Sequence, residues 1–190
     1  MGRRPVAAGR HGSRAGLTRE VPALLPPTEA LRDSFVAAVG EYQGEGRYLA
    51  LDPVVLADSE GFRAYVRSRI AAADPTSDRP PDRVPETVLW YVEGTTYIGQ
   101  LSIRHELNEW LSEVGGHIGY DVRPAARRRG HAAAMLAAAL PVTHLLGIDP
   151  ALVTCDIDNI ASRRVIERCG GVLEDERRGH LRYWVATGVK

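Results

Sequence analysis

Lysine is nearly absent from this chain: of the 24 Lys and Arg residues only Lys190 is a lysine. Dominance of arginine on this scale reflects codon usage, so no arginine carries weight merely for being one. Net charge is absent as well. Lys+Arg and Asp+Glu both number 24 in 190 residues, which argues against a dedicated nucleic-acid binder, since those show a basic excess. Cysteine is scarce. Cys155 and Cys169 make no disulfide framework and their spacing fits no zinc pattern, so the chain reads as a reduced, cytoplasmic protein. Long hydrophobic runs are missing too: nothing approaches the roughly 18 apolar residues of a membrane span. There is no GxGxxG after a first strand and no GxxxxGK[ST], which sets aside the dinucleotide fold and the P-loop.

What remains is 44% hydrophobic and 25% charged, an ordinary globular balance with enough apolar mass for one domain. Residues 1–20 differ. They hold five arginines, four glycines and a single acid, Glu20, without the apolar core of a secretory signal. We expect a flexible basic extension there; an arm that touches an anionic partner is the alternative. The folded part, residues 21–190, is expected to form a single domain beginning near Val21.

Thr28 can cap a helix carrying Leu31, Phe35, Val36 and Val39 at helical spacing, broken by Gly44 and Gly46. A second helix is expected from Ser59 to Ala72, ended by Asp74-Pro75. The stretch 74–85 holds four prolines and reads as a loop. Runs 87–93 and 95–103, rich in β-branched and aromatic residues, read as a hairpin about Gly94. A polar loop 104–116 leads to a strand over 117–123. An alanine-rich helix runs from Gly130 to about Leu146, with a kink expected at Pro141. A strand follows over 151–156, then a helix over 159–169 stopped by Gly170-Gly171, then two closing strands. This order is that of a mixed α/β (α+β) protein, and no repeat interrupts it.

The most informative segment is Val122-Arg123-Pro124-Ala125-Ala126-Arg127-Arg128-Arg129-Gly130-His131-Ala132, between a strand and a helix. A helix start leaves backbone N–H groups unpaired and carries partial positive charge, which suits a phosphate or pyrophosphate. Gly130 lets a ligand approach the backbone, Ala132 keeps the first turn narrow, and Arg127, Arg128 and Arg129 add guanidinium groups. The plainer alternative is a solvated basic turn that merely begins a helix.

Arg127-x-x-Gly130-x-Ala132 resembles the [Q/R]-x-x-G-x-[G/A] signature of the GCN5-related N-acetyltransferase (GNAT) superfamily. Asn159-x-x-Ser162, leading to Gly170-Gly171, resembles that family's second coenzyme-contacting segment. The likeness in element order extends over about residues 25–187 and is motif-specific for about 115–172. It implies a central, mostly antiparallel, twisted sheet of six to seven strands flanked by about four helices. It also implies direct transfer of acetyl from acetyl-CoA to a primary amine, on a small molecule or a peptide, within a ternary complex. Dimerisation is common in such folds, so a homodimer is one arrangement the resemblance admits.

The resemblance also distributes roles. The N–H groups of Arg129 to Ala132, His131 among them, would hold the pyrophosphate, with Arg127 and Arg128 assisting. Val122 would pair its backbone with the pantetheine arm, and Asn159 and Ser162 would contact that arm from the other side. A backbone N–H near Tyr120 to Val122 would polarise the thioester. Many members carry a glutamate where His117 stands in His117-Ile118-Gly119-Tyr120. His117 is therefore either the general base or a hydrogen-bonded structural histidine. The family's usual tyrosine acid falls on Ile166 here, which leaves Ser162 to hydrogen-bond the leaving thiolate. Asn159 also suits a simple helix cap. The polar loop, with Arg104, His105 and Asn108, is expected either to line the acceptor pocket or to connect strands over buried Leu107 and Trp110. The side chain of His131 is expected to point outward. His11, His144 and His180 lack partners at metal-ligand spacing, and no metal is expected. A protein that binds acyl-CoA without catalysis is the alternative function.

Overall fold

The run Thr87–Glu93 is apolar on both faces, which requires a sheet covered on both sides, and that is what the residues build. The computed structural model describes residues 21–188; the basic segment 1–20 lies outside them. Seven strands form one sheet: β1 Ala23–Leu25, β2 Glu86–Glu93, β3 Thr96–Arg104, β4 Ile118–Val122, β5 Ala151–Asp156, β6 Val172–Arg177 and β7 His180–Val185, in the order β1-β2-β3-β4-β5-β7-β6. Every neighbouring pair is antiparallel except β4 and β5. Five α-helices accompany it: α1 Arg32–Gln43, α2 Pro53–Ala57, α3 Ser59–Ala71, α4 His131–Leu145 and α5 Ile160–Arg168.

Side chains of β2 alternate between two cores, as the pleat demands. Val88, Trp90 and Val92 join Phe35, Val39, Phe62 and Val66 beneath α1 and α3. Leu89 and Tyr91 join Leu101, Ile103, Ile118, Met135, Leu136 and Ile166 beneath α4 and α5. Phe35 stacks on Trp90 with ring centroids 4.8 Å apart, so the first core is mainly aromatic and the second mainly aliphatic.

Side-chain caps start the first helices, Thr28 as expected and Asp58 in addition. The Thr28 hydroxyl accepts from Ala30 N–H at the head of the turn that leads into α1. Asp58 accepts from Glu60 and Gly61 N–H to start α3. Three features depart from expectation. Strand β1 and helix α2 are too short for a periodic signal to show. The segment 104–116 is not plain loop: Leu111–Gly115 forms a π-helical turn that packs on β5 and β7. Helix α4 continues four residues past Pro141, so the proline, where a kink is expected, does not end it.

Candidate active site

Strand β4 organises the site because its two neighbours treat it differently. Toward β3 it is fully paired, from Ile103↔Ile118 to Gly99↔Val122. Toward β5 the parallel ladder consists of a single pair, Ile118↔Val153, and beyond it the strands part. Arg123 donates its N–H to Ile98 O across β3. Backbone groups alternate sides along a strand, so those of Tyr120 and Val122 turn to the gap on the β5 side. The Val122 carbonyl is already taken there by Arg127 Nε–H at 3.0 Å. Of the backbone pairing expected of Val122, only the N–H therefore stands open.

The chain leaves the far end of β4 through a short 3-10 turn, Pro124–Ala126. Arg128 then takes φ 62° and Gly130 φ 83°. Two left-handed residues flanking Arg129 turn successive N–H groups to one side, which makes an anion-binding concavity. Helix α4 begins directly afterwards, its first internal bond running from Ala134 N–H to Gly130 O. Among the described residues, the backbone N–H groups of Arg128, Arg129, Gly130, Ala132 and Ala133 meet no protein acceptor. Open space surrounds the position a Cβ on Gly130 would take. Glycine is needed there for its dihedral, and the space is left to whatever the amides bind. From Gly130 a groove of about 570 Å³ continues past Ala133, Ala134 and Ala137 to Arg168 and Cys169 at the end of α5.

The side chains of this turn do not all do what the motif suggests. Arg127 forms a bidentate pair with Glu45 at 2.7 and 2.8 Å, and this hydrogen-bonded pairing raises its pKa while lowering that of Glu45. Its guanidinium, expected to assist a pyrophosphate, here holds Glu45 in the segment after α1 instead. Arg123 likewise grips Glu41, and Arg47 holds Asp121 of β4 at 3.0 and 2.5 Å. Three arginine–carboxylate forks tie the α1 region to β4 and its turn. Arg128 and Arg129 make no ion pair among the described residues. His131 is also corrected. It does not point outward but is buried at 7% exposure, with its ring 6.0 Å from that of Tyr91. The helix phase places position 131 over the sheet, whereas a reading of the turn alone places it beside the ligand.

Across the gap, Asn159 caps α5 by accepting from Ser162 N–H at 3.0 Å. Ser162 Oγ in turn lies 2.8 Å from the hydroxyl of Tyr120, which also donates to Ser162 O at 3.3 Å. Burial raises the Tyr120 pKa well above the usual phenol value, so the group remains a proton-bearing donor. Sequence reasoning noted the tyrosine missing at Ile166 but overlooked this one. The only signal was strand parity, which turns Tyr120 to the same face as Ile118 and Val122.

The near end of β4 differs from expectation. His117 stands just before the strand, its N–H bonded to Leu152 O at 2.7 Å, and its Nδ1 accepts the Leu152 N–H at 2.9 Å. That bond uses the lone pair of the neutral ring. Burial, then the nearby Arg104 charge, lowers its pKa. A general base needs a free lone pair, so the base assignment is corrected to the structural alternative. His105 bonds Thr87 Oγ1 at 2.8 Å. Asn108 clamps its loop, donating to Asp82 O at 2.9 Å and accepting from Leu111 N–H at 2.8 Å. Trp110, expected to be buried if the loop were a connector, is 58% exposed.

Comparison with known proteins agrees with this geometry. Residues 26–172 match the family model described as Acetyltransferase (GNAT) domain. Among solved structures, Mycobacterium smegmatis RimJ in complex with CoA-disulfide is 19% identical with a TM-score of 0.63, covering 88% of this chain and 82% of that one. Microcin C7 self immunity acetyltransferase MccE, in complex with acetyl-CoA and AMP, is 14% identical with a TM-score of 0.57, covering 87% and 92%. The Salmonella typhimurium acetyl transferase that modifies the N-terminal serine of ribosomal protein L7/L12 is 17% identical with a TM-score of 0.56, covering 88% and 94%. At these identities the likeness is one of fold. No curated protein matches the sequence. The family match spans the split of β4 from β5, the open amides ahead of α4 and the capped start of α5, and the chain accordingly belongs to the GNAT acetyltransferase family, as an acetyl-CoA-dependent N-acetyltransferase.

Proposed function

We propose that the protein transfers acetyl from acetyl-CoA to a primary amine, of a small molecule or a peptide, by direct attack in a ternary complex. The observation that carries this is the set of backbone N–H groups of Arg128, Arg129, Gly130, Ala132 and Ala133 without a protein acceptor among the described residues, set beside the gap between β4 and β5. Those amides hold the pyrophosphate, flanked by the guanidinium groups of Arg128 and Arg129. The pantetheine arm lies in the gap between the Val122 N–H and the start of α5.

The amine lone pair attacks the thioester carbon, and an open N–H on β4 meets the oxyanion, worth roughly 3 kcal/mol of barrier. The intermediate collapses by breaking the carbon–sulfur bond. Ser162 Oγ–H hydrogen-bonds the departing thiolate, with the Tyr120 hydroxyl turned from Ser162 O to donate to Ser162 Oγ, so that the serine hydrogen points at sulfur. The thiolate then takes a proton from water. The amine proton also goes to water, because His117 has its lone pair engaged and Asp121 is held by Arg47. The paired hydroxyls favour catalysis over an acyl-CoA-binding protein without chemistry.

Calorimetric titration of acetyl-CoA, followed by a thiol-release assay over an amine panel, tests the proposal. Binding and amine-dependent release support it. Binding without release from any amine would return the coenzyme-binding alternative, and absence of binding would end both.

A further inference from the structure

Strand β3 ends on a guanidinium that the chemistry above does not use. Arg104 is partly buried and its pKa is lowered, first by that burial. A desolvated arginine is ordinarily matched by a carboxylate, yet among the described residues Arg104 makes no ion pair. It is held by two carbonyls instead, Nη1 donating to Gly115 O at 2.8 Å and Gly116 O at 3.0 Å. Its Nη2 lies over β4: a Cβ built on Gly119 would stand 3.3 Å from it. Gly119 adjoins Tyr120, where β4 has already parted from β5. Any side chain at 119 would push the guanidinium away from this spot.

On its other side Arg104 lines a cavity of about 1070 Å³ that also receives Arg79, Trp110 and the Arg69–Glu86 pair. Arg79 is likewise held by oxygens other than carboxylates, those of Asp74 O, Ser77 O and Ser77 Oγ. The remaining acids of the lining, Asp78 and Asp82, are exposed at its rim. Three arginines, Arg79, Arg83 and Arg104, therefore line one cavity with no ion pair among the described residues, Arg104 beside the point where β4 and β5 separate.

We propose that Arg104, supported by Arg79, binds a carboxylate or phosphate carried by the acceptor, so that the acceptor is an anionic amine rather than a polycation. The assignment of this ligand as acceptor rests on the function proposed above; the anion site itself does not. The guanidinium would also disfavour the ammonium form of a nearby amine, supplying free base without a general-base residue.

Trp110 reports on the cavity, so its fluorescence can follow titration with N-acetylaspartate, N-acetyl-O-phosphoserine and neutral N-acetylasparagine amide, with Trp110→Phe as the control for signal origin. We expect one or both anionic probes to bind about ten- to a hundredfold tighter than the neutral one, the stronger of the two telling carboxylate from phosphate. Arg104→Gln should abolish that preference. Arg104→Lys, which keeps a charge and donors for the two carbonyls, should retain part of it, and Arg79→Gln, which also loses ties to Asp74 and Ser77, should weaken it. Equal binding of all three probes, binding of none, or a preference that survives Arg104→Gln in a protein of unchanged melting temperature would overturn the proposal. Because these titrations contain no coenzyme, their failure is separate from a failure to bind acetyl-CoA.

Discussion

The two ends of β4 present opposite treatments of polar groups. Past its far end, Arg128, Arg129, Gly130, Ala132 and Ala133 leave backbone donors without protein acceptors among the described residues. Before its near end, His117 and Asn108 are fastened to neighbouring backbone. Backbone donors left open at the head of a helix are met by water or by an anionic ligand, so such a row marks where an anion can bind. A side chain whose lone pair is taken by neighbouring backbone is not free to act as a base. The far end is accordingly the coenzyme site we propose and His117 reads as scaffold, whereas Arg104, satisfied at Nη1 and open at Nη2, belongs partly to each.

The largest effect should come from the far end. Gly130→Val forces a β-branched residue into φ 83°, and we expect about a hundredfold or greater loss of acetyl-CoA affinity by calorimetry, with lowered thermal stability. A normal titration would break the comparison. In the gap, Ser162→Ala should lower kcat by about ten- to a hundredfold with the KM for acetyl-CoA nearly unchanged. Tyr120→Phe should cost about tenfold. Because Tyr120 acts through Ser162, the double variant should be no worse than Ser162→Ala alone. Additive losses would separate the two hydroxyls. A milder effect is expected from Arg127→Gln: acetyl-CoA affinity within about threefold of wild type, and a small, salt-sensitive drop in Tm, as suits a half-exposed ion pair. A large loss of affinity would put the Arg127 side chain back on the pyrophosphate.

The smallest effect sharpens the near end. Burial holds the His117 pKa below its ordinary value of about 6.5. Protonation is therefore easier in the unfolded chain, and stability is full above that value and falls as pH drops through the folded-state pKa. His105, depressed in the same direction, adds to the slope. Urea unfolding between pH 8 and pH 5 should show this loss, and His117→Gln should flatten part of it. The same variant should leave the pH profile of kcat/KM unmoved, rising toward the pKa of the acceptor amine. A profile that loses a limb in His117→Gln would restore the histidine as base.

Much of this architecture was legible beforehand because it depends on short-range pattern. The hairpin of β2 and β3, the alanine-rich α4 and the capped α5 follow from periodicity and punctuation, and each element boundary fell within a few residues. The turn ahead of α4 was legible for the same reason, since glycine and a strand-to-helix junction are local facts. Strand β1 and helix α2 were not, being three and five residues long. Nor were the partners of site residues. Glu45 lies 82 positions from Arg127, and Leu152 lies 35 from His117; no local rule connects them.

Sequence alone determined which backbone could be left bare, because the dihedral preference of glycine and the unpaired head of a helix are properties of the residues in order. Tertiary structure decided which side chains were free to act. The lone pair of His117, the guanidinium of Arg127 and the hydroxyl of Tyr120 each depend on what a distant strand or helix brings within hydrogen-bond reach, and a hydrogen-bonding group commits to the partner that folding places beside it.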